Sequence, residues 1–182
     1  MRKVKLETLL QNPLLERTLL KPTGRQTLHW SLYAPGLPKG TLTHFEGQGR
    51  TSAFMQLLTE HPGLSAAWLE KGMTAYPPAF SRAGVNLDQL LFVEGGKHYA
   101  WSAAQLLRTQ IFPIVLLASP IEGELELRRL QLAAEQSSTV VLLLSKIQGP
   151  TWPIRLWLEI HQHDQGLRLT KYSPTAELRA AV

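Results

Sequence analysis

The chain contains no cysteine. That excludes disulfides and thiolate chemistry and suits a reducing compartment. Charge is sparse as well: 18% of the 182 residues are Asp, Glu, Lys or Arg, against about 25% in an ordinary soluble domain. Some of the surface is therefore apolar or neutral, and such surface is where partners dock. Acidic residues number 14 against 19 basic ones, a formal charge of +5. That balance permits weak DNA binding or an acidic partner without requiring either. No apolar run approaches the ~18–20 residues of a membrane span, so no membrane association is expected. Met1-Arg2-Lys3-Val4-Lys5 is basic, but the apolar core of a signal peptide does not follow it. The expectation is a soluble, cytoplasmic protein.

What is present is enough apolar residue, 44%, to build one domain with a real core. Leu6, Leu9, Leu10, Leu14 and Leu15 recur at helical spacing near the start, interrupted at Asn12-Pro13, where the residue before proline is pushed out of the helical region. Residues 1–22 read as a separate N-terminal helical segment. Turn-forming Pro35-Gly36-Leu37-Pro38-Lys39-Gly40 then leads into a strand from Thr41 to Phe45 and a helix from Thr51 to Leu58. Strands follow at Ala66–Leu69, Leu90–Val93, Ile114–Leu117 and Thr139–Leu144, and helices at Tyr76–Ala83, Ala100–Arg108 and Glu124–Gln136. Such alternation predicts an α/β domain, with a mostly parallel sheet covered by helices on both faces. Ile154, Leu156, Leu158 and Ile160 alternate with polar neighbours, and Leu167 to Tyr172 returns after a turn. This predicts an antiparallel hairpin at one edge of the sheet. The core is expected over 23–172, and 173–182 as a flexible tail.

Between the first core strand and its helix stands Phe45-Glu46-Gly47-Gln48-Gly49-Arg50-Thr51-Ser52. A phosphate-binding loop needs this strand–glycine–helix setting, but spaces its glycines by four residues and ends in Gly-Lys-Ser/Thr. Here only Gln48 separates Gly47 from Gly49, and Arg50 stands where the lysine belongs.

The order of the pieces resembles the RecA-like recombinase fold over residues 23 to 172. Thr23-Gly24 with Gly36 through Gly47, Pro77 through Leu91 around Gly84-Val85-Asn86-Leu87-Asp88, Ile114 through Ser119, and Thr139 through Lys146 carry the likeness. The departures matter more. The phosphate loop is shortened, Gly72 falls where the family places its catalytic glutamate (with Glu70 close by), Ala118 replaces the metal-site aspartate, and Lys146 replaces the nucleotide-sensing glutamine. Such a chain is similar to reduced RecA-like proteins of the ImuA type, found with translesion polymerases in mutagenesis cassettes, and in second place to SulA-type division inhibitors acting on FtsZ. The resemblance implies a non-enzymatic adaptor without cofactor or metal. Its partners would be RecA and/or a translesion DNA polymerase, and it could form homo-oligomers. The degenerate loop Gly47, Gly49, Arg50, Thr51 is then expected to hold no triphosphate; the alternative of another class is a residual nucleotide-binding protein that uses Arg50 and Thr51.

Other candidates carry a plainer alternative beside the functional one. The leucine stripe Leu6, Leu9, Leu10, Leu14, Leu15 suits a partner or the domain itself. Arg128 and Arg129 on the polar side of a helix suit a partner, DNA or plain solvation. Trp157, on the polar-alternating side of the hairpin, suits an interface if exposed. His161, His163 and Asp164 share a hairpin but lack a fourth metal ligand. Phe80-Ser81-Arg82-Ala83 matches a Phe-x-x-Ala anchor yet sits where core packing is expected. His29 and His44 read as structural, and Ser119 has no base beside it in sequence for nucleophilic work.

Overall fold

A computed structural model describes residues 26–145 and 153–174, with backbone alone for 171–174. The predicted N-terminal segment, with Leu6, Leu9, Leu10, Leu14 and Leu15, lies outside the described residues, as do Lys146 and 175–182.

Seven strands form one sheet. In chain order its elements are β3 (Thr41–Glu46), α1 (Arg50–Glu60), β4 (Ala66–Glu70), α2 (Pro77–Arg82), β5 (Leu90–Glu94), α3 (Tyr99–Thr109), β6 (Ile114–Leu117), α4 (Glu124–Ser137), β7 (Val140–Leu143), β8 (Leu156–His163) and β9 (Gly166–Pro174). A two-residue antiparallel pair, β1 (Thr27–Leu28) with β2 (Leu37–Pro38), precedes them. The strand order is β5-β4-β6-β7-β3-β8-β9. All pairs are parallel except the β8–β9 hairpin. The mostly parallel sheet, the helices on both faces and the C-terminal antiparallel hairpin stand as the sequence pattern predicts.

Why these residues fold this way is visible in the burial. Every residue of β6 and β7 is buried, because helices cover both faces of a central parallel strand and leave no wet side. On one face Phe45, Trp68, Leu116 and Leu158 meet Phe54 and Leu57 of α1 and Phe80 of α2. Trp68 lies against Phe80 with centroids 5.3 Å apart and nearly perpendicular rings. Phe80 is therefore core, as its helical setting predicts. On the other face Leu42, Leu69, Val115 and Leu143 meet Ala103 and Leu107 of α3 and Leu127 and Leu130 of α4.

The hairpin departs from a simple wet-faced strand. Leu156, Leu158 and Ile160 are buried, as the alternation predicts. Trp157, an interface candidate in sequence only if exposed, is partly buried and packs its ring 4.3 Å from that of His44, with its indole nitrogen buried. Pairing explains this: Trp157 is register partner of His44 in the neighbouring strand, so both rings share a face and exclude water from one another. Of the two sequence alternatives for Trp157, exposed or shielded, the shielded one holds, with His44 as the cover.

Candidate functional site

In an open α/β sheet, ligands bind outside the carboxyl ends of the strands, where the chain reverses its direction of travel across the sheet. That point lies between β4 and β6. The chain runs outward from β4 to β5 by way of α2, then back through β6 to β7 by way of α4. A cavity of about 360 Å³ opens there, lined among others by Arg50, Thr51, Glu70, Gly72, Ala118 and Ser119. The fold thus brings the loop remnant, the glutamate and the alanine singled out in sequence to one cavity.

Glu70, Thr74 and Ser119 among its lining residues are already hydrogen-bonded within the chain. Glu70, the last residue of β4, is 2% exposed. Its carboxylate accepts from Thr74 N (2.8 Å), Thr74 Oγ1 (2.7 Å) and Ala75 N (2.8 Å). It fixes the turn after β4, a role that needs an acceptor-only group. Ser119 Oγ accepts from Lys71 N at 2.9 Å. Ser119 N donates to Tyr99 Oη at 3.0 Å, and that hydroxyl donates to Ser119 O at 2.9 Å. Burial pushes the Tyr99 pKa well above its usual value, despite opposing hydrogen bonds to Ser119. Its hydroxyl stays protonated and serves as a cross-brace between β6 and α3. Lys71 Nζ turns away to Glu122 at 2.9 Å. Ala118 offers only a methyl group, which cannot ligate a metal ion.

The glycine loop is shaped by β8. Beyond the last pairing, Glu46 with Glu159, β8 runs on past the end of β3, so residues 160–161 lie against the loop. A Cβ on Gly47 would stand 2.2 Å from the Ile160 carbonyl oxygen, and its φ is +90°. A Cβ on Gly49 would stand 2.9 Å from Leu167 and 3.0 Å from the His161 carbonyl carbon. Gly49 N donates to Ile160 O at 3.0 Å. The glycines leave room for a strand. A phosphate-cradling loop leaves that room for ligand oxygens and aims its free N–H groups at them.

A second hollow of about 400 Å³ lies beside the loop, bordered by Glu46, Gln48, Arg50, Glu159 and His161. Its two carboxylates repel a polyanion, and the one guanidinium cannot offset both. His161 Nε2 lies 3.1 Å from Glu159. Among the described residues, no cluster of three or more His, Cys, Asp or Glu residues could hold a metal ion, so His161, His163 and Asp164 are not brought together as ligands.

The remaining candidates fall elsewhere. His44 is buried; Nε2 donates to Ser145 O at 2.7 Å, which leaves Nδ1 unprotonated and without a partner among the described residues. Burial holds its pKa below 6.5, although the Ser145 hydrogen bond works the other way. His29 accepts from His61 Nε2 through its backbone carbonyl at 2.7 Å. Arg128 and Arg129 are exposed on α4, and Arg129 pairs with Glu126 at 2.6 Å. Sequence reasoning passed over Trp101. The buried stripe of α3 runs Tyr99, Ala103, Leu107, and a tryptophan off that stripe is the signal that finds it.

Fold and cavity together define an open α/β protein with a crevice at the carboxyl edge of its sheet, braced in part by Glu70 and Ser119. No family model matches the chain, and no curated protein matches it either. Among solved structures, the chain is similar to SulA from Pseudomonas aeruginosa, at 14% identity and a TM-score of 0.48, over 58% of this chain and 97% of that one. At that level the likeness says nothing of activity or partner.

Proposed function

We propose that this protein is a non-catalytic, RecA-like adaptor of the bacterial DNA-damage response, working by contact with RecA and/or a translesion polymerase. The observation that carries the non-catalytic half is the seating of Gly47 and Gly49 on the β8 backbone. A loop bonded to its own sheet presents fewer N–H groups to a phosphate. The committed carboxylate of Glu70 and the methyl group of Ala118 support the same reading, since phosphoryl transfer needs a positioned base or water and a metal-held charge clamp. The choice of partners rests on the sequence resemblance of residues 23–172.

Pull-down of the purified chain against RecA and against the translesion polymerase of the same organism tests the reading. Retention of either supports it, and retention of neither sinks it. Loss of FtsZ polymerisation on adding the chain would move the protein to the SulA-type reading.

A further inference from the structure

One helix pair does not close on itself. α3 and α4 pack side by side over the sheet, and their facing positions are small: Ala100 and Ala104 on α3, Ala133 on α4. Alanines cannot fill the space between two helix barrels above their line of contact, so a groove of about 580 Å³ remains. Large apolar side chains stand along it. Trp101 is 64% exposed on the α3 side and Leu132 51% exposed on the α4 side. Leaving an indole this open forgoes the burial that makes tryptophan valuable to a core, and Trp is among the residues that dominate protein interfaces.

The groove is also organised. With its carboxamide oriented to satisfy both neighbours, Gln105 accepts from Trp101 Nε1 at 3.3 Å and from Arg108 Nη1 at 3.1 Å. One side chain thus holds the indole and the guanidinium in place before anything binds, which reduces the ordering cost of binding. Charge along the groove is one-sided. Lys97, Arg108 and Arg129 line it against the single carboxylate of Glu126, and that carboxylate is taken by Arg129.

We propose that the α3–α4 groove docks an acidic amphipathic helix of a partner protein. Its apolar residues would lie over Ala100, Ala104 and Ala133 between Trp101 and Leu132. Its carboxylates would meet Arg108 and Lys97. Helix-in-groove recognition reads i, i+3, i+4 and i+7 anchors, and basic rims select acidic partners and speed their encounter. A second copy of this chain is disfavoured as occupant, because a two-fold contact would bring this basic face against itself. This surface deepens the adaptor reading by giving it a place of contact, and it rests on that reading only for its biological partner.

The test is fluorescence anisotropy on the full chain with a labelled peptide of about 18 residues, five helical turns. The peptide carries leucine at i, i+3, i+4 and i+7 and glutamate elsewhere. The control replaces every glutamate by lysine, and a short DNA duplex is the second control. The glutamate peptide is expected to bind, and the lysine peptide and the duplex to bind far more weakly. Trp101→Ala and Arg108→Glu should each weaken binding about tenfold or more, with unchanged circular dichroism and melting temperature. Failure of the glutamate peptide to bind, equal binding to both variants, or preference for the lysine peptide or DNA would overturn the proposal. The two readings fail separately. Capture of RecA or polymerase undiminished in both variants would refute the groove and keep the adaptor. Peptide binding in the groove without capture of either protein would keep the groove and refute the adaptor.

Discussion

The crevice at the carboxyl edge of the sheet and the groove between α3 and α4 are both concave, and they differ in what their polar groups do. At the crevice, Glu70, Ser119, Tyr99 and the Gly49 N–H are each bonded to a neighbour in the same chain. Along the groove, Lys97, Trp101 and Arg108 are all exposed, although Gln105 accepts from the indole and from the guanidinium. A group bonded internally stabilises the fold and is lost to ligand chemistry, because releasing it leaves a buried group unpaired. Removing such a group therefore costs stability. Removing a group held open to solvent costs little in stability and shows itself in binding.

Substitutions that keep the backbone and change one side chain sharpen that contrast. The largest effect is expected for Gly47→Ala. Its Cβ meets the Ile160 carbonyl at 2.2 Å, with φ at +90°. Overpacking and left-handed strain together should cost about 2–5 kcal/mol, read by urea denaturation. A near-neutral result would show that the loop is not seated on β8. Glu70→Ala should follow at about 1–3 kcal/mol, since two backbone N–H groups and a hydroxyl lose their acceptor. Glu70→Gln, which keeps one acceptor oxygen, should cost less.

His44 supplies a pH-dependent term. Its folded pKa lies below the ordinary 6.5, so as pH falls through that value the unfolded chain takes up a proton that the folded one refuses. Stability is complete above about pH 6.5 and declines below it, by at most ~1.4 kcal/mol per pH unit for one group. Melting temperatures between pH 7.5 and 5.5 read this decline, and His44→Gln should flatten it. An unchanged slope would mean that other groups carry it. The smallest effect on stability, within about 0.5 kcal/mol, is expected for Trp101→Ala, measured in the same urea series. A loss comparable with that of Glu70→Ala would make Trp101 a core residue and the groove a packing feature.

Periodicity made the fold legible. The short apolar runs in Ile114–Leu117 and Thr139–Leu144 read by their length and flanking turns as strands covered on both faces, and Gly84 and Pro77-Pro78 bracketed their helix. The β1–β2 pair was not legible, because two-residue strands carry no period. The site was legible in part. Arg50, Thr51, Gly72 and Ala118, all singled out in sequence, line one crevice with Glu70, while Gly47 and Gln48 border the neighbouring hollow. That Glu70 braces the Thr74–Ala75 turn could not be read, since hydrogen-bond partners at short range look in sequence like any polar loop. The burial of Trp157 was left open in sequence for a related reason. Alternation gave its face, but the ring that covers it, His44, sits 113 residues away by number and next to it only in the sheet.

Isothermal titration of the full chain with ATP and Mg²⁺ tests the central claim most directly. If the glycine loop is bonded to β8 and its crevice is internally braced, the titration gives no binding heat up to millimolar nucleotide (a free energy of about −4 kcal/mol or weaker). Micromolar binding that Arg50→Ala abolishes would contradict the account and return the loop to nucleotide chemistry.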